Sequence, residues 1–220
     1  MEKLIVAIDG PAGAGKSTIA KKVAEALGYI YLDTGAMYRA VTLAFLQTGK
    51  DFTPEFATVL AQRVTITFQR EPGLNRVFLD GVEVTEDIRT QDVTHNVSQV
   101  SAVEGVRKAM VEAQRKLGAG GGVVLDGRDI GTVVFPQAQV KVFLTASVEV
   151  RAQRRFAELK AKGQKVDYSQ LAKDIALRDK MDSERKVAPL RCADNAHYLD
   201  SSTLTIEEVV NAILKLCERA

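Results

Sequence analysis

Residues Gly10–Ser17 read GPAGAGKS. The spacing G-x-x-x-x-G-K-S, set between an apolar stretch and a helix-forming one, is the pattern of a phosphate cradle. Glycines let the chain wrap so that successive backbone N–H groups point inward at anionic oxygens, and a helix N-terminus adds partial positive charge. In such a loop Lys16 would reach the β- and γ-phosphates of a nucleoside triphosphate, and Ser17 would help to hold Mg²⁺. The competing reading is a glycine-rich strand–helix turn with no ligand. GTPases, ATPases and small-molecule kinases share this loop, so the phosphate acceptor has to be read elsewhere. No [NT]KxD guanine-reading motif occurs, which weighs against a GTPase.

Arginines are clustered where an anionic acceptor could use them. In DTGAMYR, Asp33–Arg39, Thr34 can cap the following helix and Arg39 lies about a turn further on. In VVLDGRDIGTVVFP, Val123–Pro136, Asp126 ends an apolar strand, the position of an acid that orients Mg²⁺ or its waters, and Arg128 and Asp129 follow. Arg178, Asp182 and Arg185 are spaced four and three apart and share one helix face. Arg151, Arg154 and Arg155 form a similar patch, suited to a mobile lid whose loop lies near Gly163. Each segment has a plainer reading: an N-cap with a surface arginine, a solvated turn, a salt-bridge ladder, a solvated basic face.

The elements that must position these groups alternate. Leu4–Ile8, Tyr29–Leu32, Val123–Leu125, Val140–Leu144 and Tyr198–Leu199 read as strands. Lys16–Leu27, Gly35–Gln47, Ser101–Leu117, about Val148–Lys162 and about Tyr168–Lys186 read as helices, followed by a last helix. Ser101 with Glu104 and Thr205 with Glu208 have capping-box spacing. Strand–helix alternation with unalternating apolar strands predicts an α/β fold with a mostly parallel sheet between helical layers. Ligands then bind at the carboxyl ends of the strands, where these charges fall. About Pro54–Thr94 departs from this rhythm: Val64–Gln69, Arg76–Leu79 and Val82–Val84 alternate around Asp80-Gly81, a hairpin signal, and predict a small antiparallel insert.

The composition sets bounds. The chain has 220 residues, 46% hydrophobic and 26% charged, with a formal net charge of +2. The bulk charge gives no reason to expect nucleic-acid or membrane binding. No run reaches the ~18 apolar residues of a membrane span. The first apolar run ends at Asp9, too soon for a signal peptide, so a cytoplasmic protein is expected. Cys192 and Cys217 form no CxxC pair, and His95 and His197 lack metal-ligand spacing, so neither a disulfide nor a zinc site is expected.

GPAGAGKS, DTGAMYR, the Ser98-Gln-Val run, DGRDIGTVVFP and RDKMDSERKVAPL together resemble the bacterial cytidylate kinases. The resemblance covers essentially all of the chain, and DGRDIGTVVFP and RKVAPL are its most specific parts. It implies a three-layer P-loop NTPase fold with a parallel five-stranded sheet, an antiparallel β insert that forms the monophosphate-binding region, and a short lid. One domain, 1–220, would comprise a core at about 1–53, 95–150 and 168–220, an insert at about 54–94 and a lid at about 151–167. The implied reaction is ATP + (d)CMP to ADP + (d)CDP with Mg²⁺ at Ser17. Donor binding would fall to Gly10, Pro11, Ala12, Gly13, Ala14, Gly15, Lys16, Ser17, Thr18 and Arg154. Arg39, Arg128 and Arg185 would grip the acceptor's phosphate, with Lys16, Arg128 and Arg185 catalytic. Arg178 and Asp182 would lie around the sugar hydroxyls. Ser98, Arg107 and Asp129 would read the base, and Thr34 would join the acceptor-binding set. The expected partners are CMP or dCMP and ATP, with no nucleic acid, no membrane and a monomeric chain. A kinase for UMP or a hydroxylated metabolite, or a nucleotide switch with little turnover, are the rival readings.

Overall fold

The unalternating runs IVAI, VVL and VKVF form the centre of a sheet because both of their faces must be covered. The computed structural model describes residues 3–71, 74–161 and 163–220. In chain order the elements are β1 (Ile5–Asp9), α1 (Lys16–Leu27), β2 (Ile30–Asp33), α2 (Thr34–Gln47), α3 (Pro54–Arg63), β3 (Ile66–Glu71), β4 (Leu74–Leu79), β5 (Val82–Glu83), α4 (Gln91–Ser101) and α5 (Glu104–Gly118), then β6 (Val123–Gly127), β7 (Val140–Thr145), α6 (Val148–Ala161), α7 (Tyr168–Glu184), β8 (His197–Asp200) and α8 (Ile206–Cys217). A 3₁₀ turn covers Asp87–Arg89, and a π-helical turn covers Ile130–Val134.

The chain divides into two compact units. One combines the segment up to Leu32 with Gly118 onward; the other is Asp33–Leu117. The first holds the five-stranded sheet in the order β2-β6-β1-β7-β8. β1 pairs in parallel with β6 (Ile5 opposite Val123) and with β7 (Val6 opposite Val140), and β7 pairs in parallel with β8 (Val142 opposite His197). Val6, Ile8, Val124, Val142 and Leu144 from the strands pack with Ile19 and Val23 of α1 and Val209 and Ile213 of α8. The start of α8 is fixed by the expected capping box: Thr205 Oγ1 accepts from Glu208 N at 3.2 Å, and Glu208 Oε2 accepts from Thr205 N at 2.8 Å. Cys217 is buried in this core and Cys192 is exposed; both are free thiols.

The second unit packs Met37 and Val41 of α2 against Ala57, Val97, Val100, Val106 and Met110. A second cluster joins Ala36 and Ala40 to Val77, Leu79, Val84 and Ile88. Its sheet is antiparallel, β3-β4-β5, and the Asp80-Gly81 turn takes positive φ at both residues (50° and 84°), as a two-residue hairpin requires.

Two readings of this region are corrected. The Pro54–Thr94 segment is not all β: it opens with α3, where Thr53 Oγ1 caps Phe56 N at 3.2 Å and Pro54 starts the helix, and it ends inside α4. The expected helix Ser101–Leu117 is α5, which starts at Glu104, and a separate helix, α4, precedes it. Ser101 closes α4, with its hydroxyl donating to Ser98 O at 3.2 Å, so it is not the N-cap of α5. α7 stops at Glu184, and the expected end of α6 at Lys162 lies outside the described residues. Among the described residues no helix is long and apolar enough to cross a membrane.

Ile213 is fully buried between α8 and the sheet. Ile213→Ala is expected to lower the unfolding free energy by about 2–5 kcal/mol, read from the shift in urea midpoint at unchanged slope.

Candidate phosphate-transfer site

At the carboxyl end of β1 the loop turns at Gly10. A Cβ there would lie 1.9 Å from Leu144 O, so no side chain fits. Gly13 and Gly15 follow with φ +76° and +86°, the left-handed region that favours glycine. The wrap leads into α1 at Lys16. The Lys16 ammonium is buried and donates to Pro11 O at 2.7 Å. Burial, and then the nearby Arg128 guanidinium, lower its pKa to about 7. The negative charge of an arriving phosphate would oppose both effects. The amine is held by a carbonyl of its own loop, with Asp126 and Asp182 offsetting its charge only in part.

Beside it, Asp126 at the end of β6 accepts from Ser17 Oγ at 2.9 Å and from Tyr31 OH at 2.7 Å. Carboxylate and hydroxyl are hard oxygen donors. A pair this sparse suits a small divalent ion that keeps most of its waters and takes phosphate oxygens. Asp9, the residue before the loop, is buried. Its two oxygens accept from Ile130 N at 2.8 Å and Gly131 N at 2.7 Å. Burial pushes its carboxyl up to about 6 against the pull of those two amides. Asp9 thus pins the segment that follows Arg128 and Asp129.

The α7 residues complete this group. Arg128 Nε donates to Asp182 Oδ2 at 2.8 Å. Arg185 lies 3.9 Å from the other Asp182 oxygen and 3.8 Å from Asp129. Arg185 also donates through Nε to Ala188 O at 2.6 Å. That carbonyl belongs to a turn in which Ala188 takes a positive φ of 49°. Leu190 N closes the same turn on Asp182 O at 2.8 Å. Asp182 is only 8% exposed, so the trio is not a solvated ladder. Burial would raise the Asp182 pKa, but Arg128, Arg178 and Arg185 outweigh it and the net shift is downward. The same pairing raises Arg128 despite its burial. Arg178 is lowered to about 10 by burial and then by Arg128, and its buried Nε has no hydrogen-bond partner.

Along α6 the three arginines separate. Arg151 is buried and so leaves the expected lid face: it donates to Ala146 O and Ala12 O, both at 2.8 Å, and to Asp179 at 2.6 Å. Arg154 donates to Ser201 O at 2.7 Å, and Arg155 pairs with Glu158 at 2.6 Å. Gly13, Lys16, Ser17, Thr18, Arg154, Arg155, Ser201 and Thr205 line a cleft of about 540 Å³ beside the loop. Phosphate-binding amides at one end and a mixed polar and apolar wall at the other match the outline of a nucleotide.

The second unit carries the other candidates. Thr34 is buried at the start of α2, but the cap is Asp33, whose Oδ1 accepts from Ala36 N at 2.9 Å. Thr34 is therefore not the cap its position suggested. Arg39 donates to Ile88 O and Thr94 Oγ1, both at 2.9 Å. Arg107 is buried, donates to Ser101 O at 3.1 Å and lies 5.2 Å over the Tyr38 ring. Ser98 sits one turn before Ser101 on α4.

The structure thus brings Lys16, Ser17, Asp126, Arg128, Asp129, Arg178, Asp182 and Arg185 into the first unit, with Thr34, Arg39, Ser98 and Arg107 in the second. Sequence reasoning passed over Asp9, Tyr31 and Asp179. Asp9 carries the signal that singled out Asp126, a carboxylate closing an apolar strand. Tyr31 and Asp179 meet partners 95 and 28 residues away, which local spacing does not disclose.

A family model described as cytidylate kinase matches residues 6–219. The cytidylate kinase of Exiguobacterium sibiricum is 55% identical over 100% of this chain and 99% of its own length. Those of Bacillus pumilus and Bacillus subtilis are 53% and 51% identical, each over 99% of this chain and 97% and 98% of theirs. Among solved structures, a shikimate kinase from Bacteroides thetaiotaomicron aligns over 98% of both chains at TM-score 0.51 and 15% identity. An uncharacterised protein from Eubacterium ventriosum aligns over 99% of this chain and 100% of its own at TM-score 0.54 and 12% identity. These two structures bear on the fold alone.

Replacing Asp182 by Ala removes the carboxylate that faces the Arg128 and Arg185 guanidiniums. Asp182→Ala is expected to cost about 3–5 kcal/mol at pH 7. Because the folded pKa of Asp182 lies below its ordinary 3.8, the gap to wild type persists above that value and narrows as pH falls through the folded one. Urea unfolding at a series of pH values reads both effects; a gap independent of pH contradicts the ion-pair account.

Proposed function

Because the chain belongs to the cytidylate kinase family, we propose that it transfers the γ-phosphate of ATP to CMP or dCMP, releasing ADP and CDP or dCDP. One observation carries the reading. Within a single compact unit, a glycine-wrapped loop with a buried Lys16 lies beside the Ser17–Asp126 pair and the Arg128–Asp182–Arg185 cluster.

Phosphoryl transfer needs alignment and charge neutralisation more than a base. The nucleophile is a phosphate oxygen of the acceptor, ionised near neutral pH, so no general base is required. On the donor side Gly10, Pro11, Ala12, Gly13, Ala14, Gly15, Ser17 and Thr18 surround the phosphates, Lys16 neutralises them and Arg154 serves the nucleoside end. Ser17, with Asp126 behind it, would hold Mg²⁺, which supplies charge neutralisation when bound. On the acceptor side Arg128 and Arg185 serve the phosphate. Asp182 and Arg178 serve the sugar, where the unpartnered Arg178 Nε is a donor that a hydroxyl can satisfy. From the second unit the reading assigns Arg39 to the phosphate, Thr34 to acceptor binding and Ser98 and Arg107 to the base. It also keeps the division into a core, an insert at about 54–94 and a lid at about 151–167, in a cytoplasmic monomer.

Cytosine offers an amino donor at position 4 and a bare acceptor at N3; uracil reverses both. Asp129 can accept from that amino group, and Arg107 can donate to N3 and O2. A mismatched buried polar group costs ~1–3 kcal/mol, which disfavours UMP.

The test is ATP-dependent ADP release with CMP, dCMP, UMP, AMP and GMP in parallel. CMP and dCMP are expected to lead, with slow ATP turnover when no acceptor is present, as closure around both ligands excludes water. Strong turnover of ATP alone, or a preference for another acceptor, contradicts the proposal. Asp129→Asn is expected to narrow the CMP-to-UMP ratio of kcat/KM by about tenfold or more; an unchanged ratio removes Asp129 from base reading.

A further inference from the structure

The scheme above leaves Arg151 without a role, yet its guanidinium is among the most fully engaged in the protein. Its side chain is 4% exposed. It donates to Ala146 O at the end of β7, to Ala12 O in the phosphate loop and to Asp179 on α7. Gly13 stands against it: a Cβ on that glycine would lie 3.4 Å from Arg151 Cβ.

The Ala12–Gly13 peptide is planar and trans, so its carbonyl and its N–H point in opposite directions. Holding the Ala12 carbonyl on Arg151 therefore turns the Gly13 N–H away from α6. Gly13 lines the cleft beside the loop, and its φ of +76° is set by the same wrap. Asp179 governs how firmly Arg151 is held, because it is the charged one of these three acceptors, the other two being backbone carbonyls. A charged acceptor strengthens and shortens such a bond relative to a carbonyl. Asp179 sits next to Arg178 on the helix that also carries Asp182, with Arg185 just past its end.

We infer that Arg151 is a positioning residue of the donor loop: through the Ala12 peptide plane it aims the Gly13 amide at the phosphate site, and Asp179 locks it in that pose. The inference rests on the kinase reading above and assigns Arg151 no contact with the reacting atoms.

Wild-type ADP release that requires both ATP and CMP tests the kinase reading itself; its absence overturns that reading whatever the variants do. Given that activity, the variants are Arg151→Lys, which keeps a cation but cannot reach three acceptors, and Asp179→Asn, which keeps size and removes charge. Each is expected to raise KM for ATP about tenfold, the scale of one charge-assisted hydrogen bond. KM for CMP should stay within about twofold, and the double variant should be no worse than the worse single one, since both act through one contact. Urea midpoints report folding. Should Arg151→Lys fail to fold, Asp179→Asn carries the test, because Asp179 is 22% exposed and Arg151 keeps both carbonyl acceptors. An unchanged KM for ATP in a folded variant, equal rises for ATP and CMP, or additive effects in the double variant overturn the inference.

Discussion

Positive charge is gathered at close range in a water-poor hollow, and that constraint shapes the first unit. Lys16, Arg128 and Arg178 repel one another, and burial adds to the strain on each; the lowered pKa values of Lys16 and Arg178 express it. Removing such groups from water is costly unless carboxylates or hydrogen-bond acceptors compensate. Asp182 offsets Arg128 and Arg185, and Asp126 offsets Lys16 at longer range. The downward shifts of Lys16 and Arg178 remain after those offsets, and a bound polyphosphate would oppose them.

A second regularity concerns what holds the cations. Lys16 rests on Pro11 O, Arg185 on Ala188 O, Arg39 on Ile88 O and Arg151 on Ala12 O. A carbonyl fixes the direction of a donor without cancelling its charge, whereas a carboxylate does both. The loops that present these carbonyls use unusual backbone: left-handed glycines around the phosphate loop and a left-handed Ala188 after α7. Local conformation is thereby converted into aim. Asp9 extends the same logic to amides, since its carboxylate fixes the peptides that follow Asp129.

Much of this was legible in the sequence, for physical reasons that differ by element. The unalternating strands and the GPAGAGKS turn are local patterns, so β1, α1, β6 and β7 fall where expected. The Asp80-Gly81 hairpin was equally plain because two left-handed residues in a row admit few alternatives. α3 was hidden because the alternation that follows it dominated the reading, although Thr53-Pro54 is a proper helix start. The start of α5 was read within three residues, but α4 before it was missed, since the antiparallel reading was carried through to Thr94. In the site, arginine clusters were visible as charge at regular spacing, but spacing could not separate the buried Arg151 from the exposed Arg154 three residues on. That difference is made by Ala12 and Asp179, which reach Arg151 from elsewhere in the chain.

The strand that launches the phosphate loop finds its neighbours late. β1 is flanked by β6 and β7, and the whole Asp33–Leu117 unit intervenes in the chain. On the ribosome, Val6 and Ile8 emerge long before Val124 and Val142 exist to cover them, so the inserted unit has its residues in hand first. Sheet closure then waits on distant segments, the kind of pairing whose loop-closure entropy slows folding. The cleft beside the phosphate loop draws its lining from residues as far apart as Gly13 and Val209, so it is complete only once the C-terminal helix has joined the sheet.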